Sequence, residues 1–182
     1  MRRPLPRAPC GGQDAPAPRP HGLERYKWLA SLRRAVRLES SAFSDGGEIP
    51  RHHGYKNGNQ RPPLSISGVP GGARSLAIVM DDPDAVAAVG KQWVHWTAWN
   101  IGAGTAEIAG GLPAGAVEGR TDFGEVGYGG PAPPDREHVY VFSLYALDAE
   151  LDLEPGAARD ILESSMRGHI VATARLRGRY AP

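Results

Sequence analysis

DDPDAVAAVGKQWVHWTAWNI, residues Asp81 to Ile101, sets three aspartates around a proline and then a histidine in a row of tryptophans. Side chains of a strand alternate between its two faces. As a strand, WVHWTAWN puts Trp93, His95, Thr97 and Trp99 on one face and Val94, Trp96, Ala98 and Asn100 on the other. Both faces are largely apolar, the pattern of a strand buried between layers. The preceding SLAIVM is equally apolar before Asp81. Pro83 cannot donate to a ladder, so this strand ends there or lies on an edge. Asp82 and Asp84 then share a side and Asp81 turns away. These polar residues either belong to the surface of an edge loop or line one small polar hole in an apolar wall.

Working outward, the same texture recurs. VRLES, PPLSIS, HVYVFSLYALD and IVATARLRG are short apolar runs, separated by SDGGEIP, YKNGNQRPP, GVPGGA and DFGEVGYGGPAPPD. With 24 Gly and 17 Pro in 182 residues, the chain is rich in turns. Many strands between Gly/Pro turns predict a mainly β fold, a sandwich or barrel. One helix is expected in EPGAARDILESSMRG, with Ile161, Leu162 and Met166 at helical spacing and Gly168 as its stop.

The N-terminal part differs. Residues 1–22 are rich in Pro, Gly, Ala and Arg without periodicity and read as a disordered basic leader. LERYKWLASLRRAV places Trp28, Leu29, Leu32, Ala35 and Val36 at helical spacing, so residues 23–37 read as a short amphipathic helix. It would lie on an anionic membrane surface or dock on the body. Residues 1–37 carry nine Lys/Arg and two Asp/Glu, a balance of +7 against −6 for the remainder. The acidic body argues against a nucleic-acid partner. A single cysteine, Cys10, excludes an internal disulfide framework, and cytoplasmic placement is the expectation. No apolar run approaches the roughly 18 residues that span a bilayer.

A third strand completes the constellation. In HVYVFSLYALD, His138, Tyr140, Phe142 and Leu144 fall on one face and Val139, Val141, Ser143 and Tyr145 on the other. His138 and Tyr140 are therefore placed to face one cavity, preceded by glycines through which a ligand can approach backbone. An aspartate beside a histidine favours the charged ring. A protonated imidazole, a phenol and backbone N–H groups would suit a phosphate monoester, whose oxygens need donors. Each feature also has a plain alternative. A histidine on an apolar strand is commonly a core residue, DPD is commonly a turn, and His52 and His53 read as solvated loop residues with no metal spacing. Gly127, Gly129 and Gly130 lack the lysine and helix of a phosphate loop.

In this order, DDPDA, VHWTAWNI, DFGEVGYGGPAPP and HVYVFSLYALD resemble the phosphatidylethanolamine-binding protein family, closest to its bacterial and archaeal Raf-kinase-inhibitor-like branch. The resemblance runs from about Leu38 to Tyr180. It implies a two-sheet antiparallel β-sandwich with Greek-key connections and one or two peripheral helices over residues 38–182. It also implies an anion pocket formed by Asp82, Asp84, His95, the Gly130–Pro134 loop with Ala132, Pro133 and Pro134, and His138 with Tyr140. Three departures stand out. Val86 replaces the usual proline after DPDA and is expected to loosen that loop. Val139 replaces an arginine, and the segment from Pro134 to His138 is short.

The function expected is a non-enzymatic binder of phosphorylated head groups or other small anions that modulates a partner protein, without metal or cofactor. Peripheral membrane contact through the leader and homodimerisation belong to the same expectation. Two alternatives stay open. One is a hydrolase using an Asp84–His95 pair, for which no activated nucleophile is evident. The other is a kinase- or protease-inhibiting interaction domain whose pocket is only structural.

Overall fold

A computed structural model describes residues 35–182, and the expected leader and most of the 23–37 helix lie outside them. Of that helix span, Ala35 and Val36 have no regular structure and Arg37 already opens a strand. The strands are β1 (Arg37–Glu39), β2 (Gly47–Glu48), β3 (Leu64–Ser67), β4 (Ser75–Asp82), β5 (Trp93–Gly102), β6 (Glu107–Ile108), β7 (Val117–Glu118), β8 (His138–Leu147) and β9 (Ile170–Tyr180). Among the described residues two α-helices accompany them, α1 (Val86–Val89) and α2 (Arg159–Met166), with 3-10 turns at Arg51–His53 and Pro83–Ala85. None of the described helices is long and apolar enough to cross a membrane.

The described residues form two sheets, one in the order β1-β3-β6 and a larger one in the order β2-β9-β8-β4-β5-β7. The pairings are antiparallel except one: Gly47–Glu48 runs parallel to Gly178–Arg179. β4 sits inside the large sheet and is buried on both faces, which is why it reads as a continuous apolar run. Its Ile78 and Met80 join Trp96, Phe142 and Leu144 against Leu38, Leu64, Ile66 and Ile108 of the small sheet. Its Ala77 and Val79 join Trp99 and Leu147 beneath Leu162 and Met166 of α2. Each such large side chain, fully buried, contributes about 1.5–3 kcal/mol.

α2 buries Leu162 and Met166, one turn apart, and leaves Ile161 exposed, so its apolar stripe is narrower than the sequence spacing implies. Gly168, at φ 84°, ends the helical segment and turns the chain into β9.

Simple alternation fails along β5. Asn100 takes φ 54° where the register slips between Leu76/Ile101 and Ile78/Ala98, and its amide grips both backbone groups of Leu151. A second slip lies between Met80/Trp96 and Asp81/Val94, leaving His95 as the extra residue of a bulge. The four residues expected on one face are thereby divided. Trp99 packs under α2, whereas the His95 ring rests edge-on against Tyr140.

Candidate functional site

β4 ends where Pro83 removes the next ladder donor. The carboxylate of Asp82 then caps the turn, Oδ1 accepting the Ala85 N–H at 3.1 Å. Its Oδ2 lies 2.7 Å from Nδ1 of His138, and Nε2 of the same ring lies 2.9 Å from Oδ1 of Asp135. Burial works against charging His138, but the hydrogen bonds and charges of Asp82 and Asp135 outweigh it and raise its pKa. A ring between two carboxylates donates from both nitrogens, so His138 is an imidazolium. Asp135 is half exposed, and the chain Asp135–His138–Asp82 runs from solvent to a nearly solvent-free carboxylate.

His95 is held differently. Its Nδ1 lies 2.8 and 3.0 Å from the carbonyl oxygens of Gly129 and Gly130. Carbonyls only accept, so Nδ1 carries the proton. Burial is the largest influence on this ring and pushes its pKa down, opposed by the two carbonyls and the charges of Asp82 and Asp122. The ring is therefore neutral near pH 7, and Nε2 carries a lone pair. Phe123 meets it edge-on at 5.4 Å, and Tyr140 does so at 5.1 Å. The Tyr140 hydroxyl is buried without a hydrogen-bond partner among the described residues. Burial first, and Asp82 second, raise its pKa.

The loop that supplies the carbonyls is pinned from two directions. The Gly129 N–H donates to the His95 carbonyl at 2.8 Å, and the Gly130 N–H donates to Asn59 Oδ1 at 2.7 Å. The Tyr55 N–H donates to the Pro131 carbonyl at 2.9 Å. A Cβ on Gly130 would run into the His53 carbonyl, so only glycine fits this approach. Tyr55 stacks flat on Phe123 at 4.1 Å and steadies the far wall.

Between these walls is a cavity of about 190 Å³. Asp82 and His95 are its polar lining, while Ala85, Ala88, Val89, Trp93, Phe123, Ala132 and Pro134 make it otherwise apolar. The Trp93 indole N–H is buried and also has no partner among the described residues.

Asp82, His95, Ala132 and Pro134 thus meet at one cavity. Tyr140 stands one layer behind, against the imidazole, and Gly130 acts through its carbonyl. Pro133 is buried and is not part of the lining. Three expectations need correction. His138 does not face the cavity, because both its nitrogens are taken by carboxylates. His95 is not paired with an aspartate, because the bulge and the glycine carbonyls claim its Nδ1. Asp84 does not line the recess either, because the 3-10 turn carries it round to the Val139 N–H, 2.9 Å from Oδ2, with Arg136 3.8 Å from Oδ1.

The apolar walls Trp93, Phe123 and Val89, the anchor Asn59 and the outer carboxylate Asp135 were not identified from sequence.

A second, more open recess of about 700 Å³ is bordered by His53, Arg61, Glu118 and Tyr128. Arg61 lies over Trp96 with its guanidinium 4.6 Å from the ring, and its Nη2 reaches Glu118 at 2.6 Å. The Trp96 Nε1–H donates to the same carboxylate oxygen at 2.7 Å. His53, expected in solvent, is buried with Nδ1 2.7 Å from the Gln60 carbonyl. No group of three or more His, Cys, Asp or Glu side chains suited to a metal ion occurs among the described residues.

Residues 39–181 match the family profile described as phosphatidylethanolamine-binding protein. A UPF0098 protein of Methanothermobacter thermautotrophicus is 45% identical over 151 residues, covering 80% of this chain and 98% of its own. The crystal structure of a putative phosphatidylethanolamine-binding protein homolog from Chlamydia trachomatis superposes with a TM-score of 0.76 at 40% identity, over 80% of this chain and 97% of that one. Escherichia coli YbcL, described as a member of the mammalian family, gives 0.74 at 32% identity over the same shares. The chain belongs to the phosphatidylethanolamine-binding protein family.

Proposed function

We propose that this protein is a non-catalytic binding module that holds a small phosphoryl anion, such as a phosphorylated head group, in the cavity between Asp82 and His95. The observation that carries the proposal is the half-open recess itself. It is small, apolar in its walls and polar at two points, and pinned by internal hydrogen bonds before any ligand arrives. The Trp93 indole, one of its walls, carries a buried N–H with no hydrogen-bond partner among the described residues. Family membership supports binding in general.

The hydrolase alternative loses its motivation. His95 spends Nδ1 on carbonyls, Asp84 lies elsewhere, and no hydroxyl or thiol is hydrogen-bonded to the ring among the described residues.

Phosphorus NMR and thermal denaturation with O-phosphoethanolamine test the proposal. The wild-type protein is expected to broaden the ligand signal and gain several degrees in Tm, and His95→Ala to lose both effects. Equal responses from wild type and variant, or none from either, would refute it.

A further inference from the structure

Resting on that reading, we infer that the cavity takes its phosphoryl ligand together with a proton. It selects phosphomonoesters in their hydrogen-phosphate form, with P–O–H donating to His95 Nε2, over phosphodiesters, which have no such proton.

The argument begins with hydrogen-bond polarity. Two carbonyl oxygens at 2.8 and 3.0 Å fix the proton on Nδ1, so Nε2 offers only a lone pair. The other polar group of the lining, Asp82, is a carboxylate that also only accepts. Among the described residues, neither lysine nor arginine lines the cavity. His138 is cationic, but both its N–H groups are spent on Asp82 and Asp135. A fully deprotonated phosphate would therefore set its oxygens against a lone pair and a carboxylate. A hydrogen-phosphate turns one of those repulsions into a donated hydrogen bond.

Two carboxylates and one phenol are set against His95 among the described residues. β4 contributes Asp82, β8 contributes Tyr140 with its phenol held protonated, and the loop after β7 contributes Asp122. Asp122 is itself committed to Lys91 at 2.7 Å and the Val94 N–H at 2.8 Å. Moving the shared proton from the phosphate to Nε2 leaves the composition of the complex unchanged. In either arrangement, binding from alkaline solution takes up one proton.

The second ionisation of a phosphomonoester lies near pH 6. Affinity should therefore fall about tenfold per pH unit above that point, while a diester should be weak and insensitive to pH.

Titration calorimetry with methyl phosphate and dimethyl phosphate at pH 5.5 and pH 8, with proton uptake measured at pH 7.5 in two buffers of different ionisation enthalpy, tests this. Methyl phosphate should bind about a hundredfold more weakly at pH 8, given that slope over two units, with uptake approaching one proton. Dimethyl phosphate should bind at least tenfold more weakly than methyl phosphate at pH 5.5. His95→Gln, whose amide can itself donate, should lose the proton uptake and narrow the monoester–diester gap. Dimethyl phosphate binding as tightly as the monoester, absence of proton uptake, or uptake retained in His95→Gln would overturn the inference while leaving a binding pocket in place. Failure of methyl phosphate to bind at either pH would remove the binding proposal as well.

Discussion

Nδ1 of His138 meets Oδ2 of Asp82 at 2.7 Å with both side chains almost wholly removed from solvent. The pair is a buried strut holding the cavity carboxylate in place. Removing one partner of such a pair strands the other charge and costs roughly 3–5 kcal/mol. His138→Gln should therefore lower the urea midpoint markedly at unchanged m-value. Adding Asp82→Asn should recover part of the loss, and strict additivity in that double-mutant cycle would contradict the coupling.

The histidines give stability a pH dependence on both sides of their ordinary value of 6.5. His138 has a raised pKa despite burial, through Asp82 and Asp135. Above pH 6.5 the native protein keeps a proton that the unfolded chain releases, so this contribution is full below 6.5 and lost as pH rises through the native value. His95 and His53 have lowered values, chiefly from burial. Below 6.5 the unfolded chain gains protons that the native rings refuse, so stability also falls in that direction. Ring-proton NMR titration should find His138 above 6.5 and His95 and His53 below it, and the reverse order would contradict these assignments.

Gly130→Ala should damage the cavity more than its single added methyl suggests. The new Cβ would collide with backbone at His53 and Tyr55, so the loop must shift and withdraw a carbonyl from His95. Overpacking of this kind costs about 1–3 kcal/mol. Gly111→Ala, which meets open space, should stay within about 0.5 kcal/mol of wild type. Thermal denaturation of the two variants provides the comparison.

Arg61→Lys is predicted to be non-conservative. The guanidinium both stacks on Trp96 and reaches Glu118, and an ammonium cannot reproduce that fork. A loss of about 1–2 kcal/mol is expected from the stacking alone, read by urea denaturation alongside a shift in tryptophan emission.

The long strands were legible because burial on both faces leaves an apolar run in the sequence, as in β4 and β5. Pro83 marked the end of β4 through its missing N–H. The bulge at His95 was not legible, because an extra residue in one strand is a property of the register between two strands. Alternation extended past Pro83 therefore gave Asp84 a place that a 3-10 turn gives to Asp82 alone. Trp93 and Phe123 could not be told from core residues, since an apolar cavity wall has the composition of a core. His53 sat in a polar stretch and looked solvated, yet that stretch folds back and the Gln60 carbonyl closes over its ring.

The parallel pairing of β2 with β9 ties Gly47 to Gly178, 131 positions apart (178 − 47). The Tyr180 hydroxyl adds a bond to the Arg51 carbonyl and accepts one from the Asn57 amide, two residues before the Asn59 that anchors Gly130. Closures over such sequence distances are slow steps in folding. During translation the cavity floor emerges well before β9, so a ribosome-bound chain halted ahead of residue 170 would carry every lining side chain yet lack the clasp behind its Asn59 anchor. Ligand competence should therefore arrive abruptly, with β9, rather than accumulate as the chain lengthens.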